Sequence, residues 1–338
     1  MEYTLHKDFS EIPAAAWNEL AKVGISDTPF ARHEVLSEWW TTRGGGEWNQ
    51  AELILVSASE DGKLVGIAPL FKAQHDGRDA LLLVGSIEVS DYLDLIVRQE
   101  DLKRFLTGLV DFLASRGCAG LPFDWYNIPD ESPTLTALKA EAEQRGWTYH
   151  DEVYRPTPRI SLEGGFDAYL ARLDKKQRHE IRRKLRRAEM SPQPVQFYLV
   201  EERNTLDSEI EAFLELMSHD PNKAEFLKPA MRQHVGALMR VAFDSGFLWL
   251  AFLTINGHKA AAAMNFDYKN KLWGYNSGVN REFMELSPGW VLLTHQIRWA
   301  CEHGRSEFDF MRGDEDYKYR FGGVNKHVMR VVVTPRAP

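Results

Sequence analysis

The chain has 338 residues, of which 44% are hydrophobic, and a formal net charge of −8 at pH 7. This length suits two domains of ordinary size and the apolar content is enough to bury two cores, which excludes an extensively disordered chain. The acidic balance argues against a general nucleic-acid binder, and the lack of a long apolar run or a signal pattern leads us to expect a cytoplasmic protein.

The first half of the chain opens with two predicted helices, at 14–22 and 34–41. Two apolar runs at 53–59 and 64–72 then flank Asp61-Gly62, which is a strong signal for a β-hairpin. The rest of this half comprises predicted strands at 81–84, 92–97 and 121–125 and a predicted helix at 102–115.

The second half shows the same order of elements. Predicted helices at 166–190 and 206–243, the latter broken at Pro221 and Pro229, precede a hairpin centred on Asn256-Gly257. The predicted elements that follow are strands at 247–255, 260–268 and 272–277, a helix at 290–303, a strand at Phe308-Asp309 and a final strand at 329–334.

This shared order indicates a duplication, since each half ends its series with a strand carrying Phe-Asp, at 123–124 and 308–309. The alternative is that two unrelated α+β domains share a common order of elements. We predict an α+β (α/β) fold of two tandem domains, 1–158 and 159–338, each with a mixed, mostly antiparallel sheet flanked by helices. Two prolines in Arg155-Pro156-Thr157-Pro158 are expected to stop regular structure at the boundary.

The predicted helix at 166–190 combines an apolar stripe with a dense set of basic residues. Like charges at helical spacing are destabilising unless an anionic partner or the protein's own acids offset them. An anionic acceptor, cofactor phosphates, the first domain, an anionic membrane surface and RNA all fit, although no aromatic residues interleave for base stacking. The basic residues are Arg172, Lys175, Lys176, Arg178, Arg182, Arg183, Lys184, Arg186 and Arg187.

Four consecutive alanines, Ala260 to Ala263, begin a predicted strand although alanine is a poor strand residue. One explanation is a ligand that lies along a strand face without bulk, as a pantetheine arm would. The other is close packing of a helix on the sheet. We favour the ligand because a candidate anion site follows in the sequence.

That anion site is the Ser-Pro-Gly turn at 287–289, which opens a helix whose first N–H groups lack partners inside the helix. The Phe-Asp strand then leads into a loop rich in acids, bases and phenols. Strand alternation turns Asp309 away from its phenylalanine neighbours, so it is a candidate proton acceptor. Tyr317 and Lys318 are candidates to protonate a leaving group and to stabilise negative charge. A salt-bridged loop that fixes the final strand is the structural alternative.

Other kinds of catalytic site have little support in this sequence. Cys118 and Cys301 are too few for a disulfide framework and lack the spacing of a metal site, and the eleven histidines are scattered. Neither a Gly-x-Ser-x-Gly elbow, a Walker loop nor a His-Glu-x-x-His motif is present. We therefore expect no metal and no covalent intermediate.

The Ser-Pro-Gly helix start, the run from Phe308 to Phe321 and the basic helix together resemble the CelD/FemAB-like acyltransferases of the GNAT superfamily. The resemblance implies two tandem GNAT-like domains, of which the first is non-catalytic and the second is the acyltransferase. It implies catalytic roles for Asp309, Tyr317 and Lys318. It also implies acceptor contacts from Arg312, Asp314, Lys175 and Arg178.

By the same resemblance the co-substrate is acetyl-CoA or another acyl-CoA. Its pantetheine would lie between splayed strands near 263–266 and 272–277, and its pyrophosphate would bind at the helix start. The implied cofactor-binding residues are Ala263, Met264, Asn265, Phe266, Ser287, Gly289 and Trp290.

The implied reaction is direct transfer of the acyl group to an amine on a small molecule or a cell-envelope precursor. One departure matters, because the Arg/Gln-x-x-Gly-x-Gly/Ala loop of standard GNAT enzymes is replaced by Ser-Pro-Gly. The acyl carrier therefore stays open between CoA, an acyl-carrier protein and, in a Fem-type alternative, aminoacyl-tRNA. Outside that alternative we do not expect a nucleic-acid partner. A non-catalytic GNAT-like binding protein is the third interpretation.

Overall fold

The computed structural model describes residues 1–46, 48 and 51–336. The chain forms two compact units, one of Met1–Pro156 with Lys326–Pro338 and one of Thr157–Asn325. Within the described residues no helix combines the length and the apolar character that crossing a membrane requires.

The first unit is a sheet flanked by helices. Its strands are ordered β1-β2-β3-β4-β6-β13, with β5 paired to β3, and the neighbours are antiparallel except β4 and β6. The helices are α1 (Ala14–Lys22), α2 (His33–Arg43), α3 (Leu102–Leu113) and α4 (Pro133–Arg145). The strands are β1 (Glu2–His6), β2 (Glu52–Glu60), β3 (Lys63–His75), β4 (Arg78–Leu83), β5 (Ile96–Val97), β6 (Phe123–Pro129), the first part of β7 (Thr148–Ser161) and most of β13 (Val324–Thr334).

The second unit repeats this architecture. Its strands are ordered β7-β12-β11-β10-β9-β8, and the neighbours are antiparallel except β11 and β12. The strands are β8 (Val195–Leu199), β9 (Leu248–Ile255), β10 (His258–Tyr268), β11 (Lys271–Val279) and β12 (Glu307–Asp309). The helices are α5 (Gly165–Arg172), α6 (Lys175–Glu189), α7 (Arg203–Ser218), α8 (Pro221–Phe226), α9 (Pro229–Asp244), α10 (Pro288–Glu302) and α11 (Asp316–Arg320).

The predicted fold class is confirmed, because both units are mixed, largely antiparallel sheets with flanking helices. In each unit a hairpin leads to a third strand, then a helix, then a strand that pairs in parallel with the third one. Both predicted hairpins are present. Their turn residues, Asp61-Gly62 and Asn256-Gly257, all have positive φ, which is the conformation that two-residue hairpin turns require.

The chain differs from the sequence-based expectation around its prolines. Strand β7 continues through Pro156 and Pro158 instead of stopping there. A proline in a strand loses only its N–H, and the Pro158 carbonyl still accepts a hydrogen bond from the Phe310 N–H at 2.9 Å. The final strand is also placed differently, because β13 pairs with β6 and residues from Lys326 onward belong to the first unit, not to a 159–338 domain.

The single helix predicted at 166–190 is two helices, α5 and α6. Asp174 interrupts it as the N-cap of α6, where its carboxylate accepts the Gln177 N–H at 2.9 Å. The apolar side chains of both helices nevertheless face one core. That core packs α5, α6 and α10 against β9 to β12, and α7 contacts β10 and β11.

Candidate functional site

Strands β11 and β12 diverge after a short parallel contact. Their register pairs residues 271–273 of β11 with residues 307–309 of β12, and β12 ends there. β11 continues to Val279, so its last six residues have no β12 partner in the described part of the chain. Six extended residues span roughly 20 Å of strand beyond the end of β12. This part of β11 is a candidate position for an extended ligand in the second unit.

The predicted splay of β10 from β11 is wrong, because these strands pair from Ala261↔Val279 to Tyr268↔Lys271. A bulge lies between Met264 and Asn265 in this pairing. Of the predicted cofactor residues, Ala263, Met264, Asn265 and Phe266 are all at most 1% exposed. The Asn265 amide donates to the Gln296 side chain at 2.8 Å.

The four alanines are explained by packing instead of by a ligand. Ala260 to Ala263 are all buried in protein, with Ala261 and Ala263 in the core shared with α6 and α10. Small side chains allow α10 to approach β10 closely, and both make direct contact. The burial of these alanines favours the packing explanation over the ligand explanation at these positions.

The start of α10 lies at the far end of β11. Pro288 has no N–H, and the Ser287 carbonyl accepts from the N–H groups of Trp290 and Val291 at 3.0 and 3.1 Å. The Gly289 N–H is left without an acceptor among the described residues. A Cβ on Gly289 would lie 3.2 Å from Val279, so this amide sits directly beside the end of β11. One free amide is a smaller anion site than the turn pattern predicts.

Trp290 connects this helix start to the basic helix. Its ring packs on Phe321 with centroids 4.8 Å apart, and the Lys184 ammonium lies 3.9 Å from the Trp290 ring centroid. Burial lowers the pKa of Lys184, and the neighbouring Arg183 and Arg320 add to this against the opposing Glu180. The electrostatic potential at this end of α10 is therefore positive.

Asp309 is fully buried, with 0% of its surface exposed. Its carboxylate makes an ion pair with Arg159 at 3.0 Å and accepts the Met311 N–H at 2.7 Å. Arg159 stands opposite Asp309 in the β7–β12 register. An acceptor amine cannot reach a carboxylate so enclosed, so the geometry favours a role in holding the end of β12 over direct proton abstraction.

Lys318 is also buried, and its ammonium is fully engaged. It donates to the carbonyls of Met311, Arg312 and Gly313 at 3.2, 2.6 and 3.3 Å and makes an ion pair with Glu315 at 2.9 Å. These four bonds fix the loop that leaves β12. Lys318 therefore holds the backbone of this loop in place. This agrees best with the alternative of a salt-bridged loop.

Tyr317 has the most suitable position for chemistry among the predicted catalytic residues. The residue is 40% exposed, and its ring meets the edge of Phe310, the first residue after β12, at 6.2 Å. Its hydroxyl has no hydrogen-bond partner among the described residues. Burial of the hydroxyl raises the pKa of Tyr317, and the Glu315 carboxylate raises it further, so the phenol is protonated at neutral pH.

Lys223 is a site residue that the sequence analysis missed. It projects from α8 and donates to the Asn276 side chain at 2.9 Å and the Ser277 carbonyl at 2.6 Å, both on the part of β11 beyond the end of β12. Burial lowers the pKa of Lys223, while Asp220 and Glu315 oppose this shift. No local pattern could have identified it, because its partners lie more than fifty positions away.

The predicted acceptor residues fall in two places. Arg312 and Asp314 lie in the loop after β12, where Arg312 is half-buried and Asp314 is exposed. Lys175 and Arg178 lie in the first turn of α6, where Arg178 donates to the Ala171 carbonyl at 3.2 Å and Lys175 is exposed. Their predicted roles stay predictions.

A metal-like cluster is present in the first unit. His75, Asp76 and Asp124 offer ligand atoms within 4.8 Å of one another. Arg330 already makes a paired contact with Asp124 at 2.8 and 2.9 Å and reaches Asp76 at 3.0 Å. The His75 Nδ1 accepts from Trp48, which places the proton of a neutral imidazole on the other nitrogen. A guanidinium and a protonated ring nitrogen both disfavour a cation there.

Comparison with known proteins supports this description of the second unit. Residues 175–319 match the model of the acetyltransferase (GNAT) domain family. None of the curated proteins compared with the chain matches it. This match confirms the predicted GNAT acyltransferase domain for residues 175–319; the CelD/FemAB-like branch stays a prediction.

Solved structures share the fold over nearly the whole chain. FemX is 12% identical with a TM-score of 0.66, covering 98% of this chain and 97% of FemX. A protein of unknown function from Bacteroides thetaiotaomicron is 11% identical with a TM-score of 0.63, covering 98% of this chain and 100% of its own. The C-terminal domain of a putative lysylphosphatidylglycerol synthetase from Agrobacterium fabrum is 14% identical with a TM-score of 0.59, covering 96% and 92%. At such identities the likeness concerns the fold alone.

Proposed function

We propose that the second unit transfers an acyl group from an acyl-CoA thioester to an amine. The observation that carries the proposal is the divergence of β11 from β12, because the edge of β11 beyond the end of β12 leads to the Gly289 amide at the start of α10. An extended pantetheine arm fits such an edge by adding backbone hydrogen bonds. Its pyrophosphate then reaches the positive end of α10, near Lys184.

The chemistry proposed is a direct attack of a neutral amine on the thioester carbonyl. A β11 N–H group polarises the carbonyl oxygen, and water accepts the proton that the amine loses. The C–S bond breaks as the C–N bond forms, and the Tyr317 hydroxyl protonates the departing thiolate. Asp309 and Lys318 hold the end of β12 and the following loop in place for these steps.

The acceptor is proposed to approach from the loop after β12. Arg312 and the exposed Asp314 lie there beside Tyr317, and their opposite charges suit an acceptor that carries both an amine and an acidic group. A small molecule or a cell-envelope precursor with an amine meets this description.

Acetyl-CoA should raise the thermal unfolding temperature of the full chain. The discriminating variant is Gly289→Asp, which places a carboxylate beside the proposed pyrophosphate position. A carboxylate at a helix N-terminus stabilises the helix, so loss of the thermal shift in this variant reflects repulsion and not unfolding. Gln99→Glu, an exposed position in the first unit, makes the same change in net charge and should retain the shift.

Three results would count against the proposed transfer from acyl-CoA to an amine. No thermal shift at millimolar acetyl-CoA would remove the proposed donor. If salt-sensitive binding of aminoacyl-tRNA were found together with that result, the Fem-type alternative would replace it. Binding of CoA without turnover of any amine would favour the non-catalytic interpretation.

A further inference from the structure

Helix α6 presents one exposed face on which basic residues predominate. The helix carries eight Lys and Arg residues and two Glu residues, in a chain whose net charge is −8. At 3.6 residues per turn the exposed basic residues cover an arc of about 140° along a helix about 20 Å long, and the exposed Glu189 lies at one edge of this arc. This surface is called the basic face below, and it comprises Lys175, Lys176, His179, Arg182, Arg183, Arg186 and Arg187.

The protein's own acids do not neutralise the basic face. Glu180 pairs with Arg183 at 2.8 Å and with Lys184 at 3.5 Å. Five cations of the face make no ion pair within the described residues. They are Lys175, Lys176, Arg182, Arg186 and Arg187. The chain's own acids therefore do not offset the charge of these five cations.

The opposite face of α6 is committed to the core. Ile181, Leu185 and Ala188 are buried with α5 and α10. The helix therefore cannot roll over to insert an apolar stripe into a bilayer. Any partner must bind through charge, on a surface that a straight helix presents as a nearly flat strip.

Exposed methionines accompany the basic face. Met190 is 76% exposed and follows α6 directly, so the helical phase places it within the basic arc. Met284 is 56% exposed and lies on the 3₁₀ turn Arg281–Leu286, which contacts α6. Apolar side chains beside cations suit a lipid interface, where they enter the headgroup region.

We propose that the basic face docks this protein on a membrane surface rich in anionic phospholipid. Arginine pairs with lipid phosphates through two N–H groups, and the strongly acidic remainder of the chain is repelled, so a single orientation results. RNA fits less well, because the face carries methionines where single-strand binders carry stacking aromatics. The proposal goes beyond acyl transfer and does not depend on the donor.

The test is flotation of the full chain with vesicles of phosphatidylcholine alone or mixed with phosphatidylglycerol. We expect binding only to the mixed vesicles, and weaker binding at high salt. The variant Arg182→Gln, Arg186→Gln, Arg187→Gln removes three unpaired cations. Each cation near an anionic surface contributes about fivefold in affinity, so this variant should bind roughly a hundredfold more weakly.

The matched control is Lys63→Gln, Lys103→Gln, Lys139→Gln, which removes three exposed cations of the first unit. It changes the net charge equally and should bind as tightly as the unchanged chain. Equal losses in the two triple variants would overturn the proposal, since net charge alone would then explain binding. Far-ultraviolet circular dichroism checks that both variants fold.

Two further outcomes decide between partners. Absence of vesicle binding by the unchanged chain overturns the lipid proposal, and tight binding of a transfer RNA that the Arg182 triple variant loses would assign the basic face to RNA instead. Acyl transfer to a soluble amine should be the same in both triple variants. Failure of that transfer in the unchanged chain would count against the proposed function and leave the docking result unaffected.

Discussion

The Tyr317 hydroxyl can be tested separately from its ring. In Tyr317→Phe the ring contact with Phe310 remains and only the free hydroxyl is lost. Because proton transfer by a positioned side chain contributes roughly 10²- to 10⁴-fold, we expect kcat to fall by about a hundredfold or more with little change in KM for the acyl donor. Release of the CoA thiol, followed with a thiol reagent, measures both constants.

Tyr319→Phe is the matched control for this prediction. Tyr319 is similarly exposed and lies two residues away in α11. Its loss should leave kcat within about twofold. Equal losses in both variants, or an unchanged kcat in Tyr317→Phe, would assign protonation of the leaving thiolate to solvent.

Asp94 makes a pH-dependent contribution to the stability of the first unit. Burial raises the pKa of Asp94 to about 6, although hydrogen bonds from Ser132, Thr134 and the Leu95 N–H oppose this shift. The folded state therefore binds a proton that the unfolded state releases between about pH 4 and 6. Stability decreases by up to about 3 kcal/mol as the pH rises through this window, and it then stays at that lower level.

The measurement compares the unchanged chain with Asp94→Asn by urea denaturation at several pH values. The difference in unfolding free energy, unchanged chain minus variant, should fall between pH 4 and 6 and be flat above. Subtraction removes the effects of other carboxylates, which are common to both proteins. A difference that rises with pH, or that stays constant, would contradict the raised pKa.

The packing of α7 on β11 depends on a glycine. A Cβ at Gly278 would overlap the backbone of Leu216 and Met217 in α7, far inside normal contact distance. Because backbone atoms cannot rotate away, Gly278→Ala must displace the helix or the strand. We expect the free energy of unfolding to fall by about 1–3 kcal/mol, measured by chemical denaturation.

Gly236→Ala makes the same chemical change in helix α9. A Cβ there meets the end of the flexible Arg240 side chain at 3.3 Å and the Ile210 side chain at 3.6 Å, which is ordinary contact. Alanine is the better helix residue, so this variant should gain up to about 1 kcal/mol. The prediction for Gly278 fails if both variants shift stability in the same direction.

Sequence patterns identified most elements because their signals were local. Two-residue turns with Asn-Gly or Asp-Gly fix the hairpins, and Pro221 and Pro229 begin the helices that follow them. The path of β7 through Pro156 and Pro158 was not predictable in this way. At residues 158–161 the strand bonds to β12 and to Phe310, which residues far along the chain provide.

The candidate site shows the same division between local and distant signals. Tyr317 is a predicted site residue because acids, bases and phenols cluster in one short loop. The burial of Asp309 follows from Arg159, which only the β7–β12 register brings opposite. Lys223 depends on a contact between α8 and β11, so no spacing in the sequence indicates it.

Each of the two units contains an Asp–Arg ion pair in a corresponding position. In the first, Asp124 on β6 pairs with Arg330 on β13, and in the second, Asp309 on β12 pairs with Arg159 on β7. In both cases the acid belongs to the Phe-Asp strand and the arginine to the antiparallel strand beside it. This correspondence supports the predicted duplication at the level of side chains.

The last strand of the chain therefore contributes to the stability of the first unit. Arg330→Met leaves the buried Asp124 carboxylate without its partner, and Arg159→Met does the same to Asp309. Removing one member of a buried pair costs about 3–5 kcal/mol, so each variant should loosen the unit that holds its acid. Hydrogen–deuterium exchange should accelerate in β6 for Arg330→Met and in β12 and β11 for Arg159→Met.

Each variant serves as the control for the other, because both remove one guanidinium from a buried carboxylate. Arg330 also lies 4.7 Å from the Tyr126 ring, so its loss removes a cation–π contact within the same unit. If the residues from Lys326 onward stabilise the first unit, Arg330→Met should leave hydrogen–deuterium exchange in β9 and β10 unchanged. Faster exchange in those strands would show that the chain end stabilises the second unit instead, as a 159–338 domain would require.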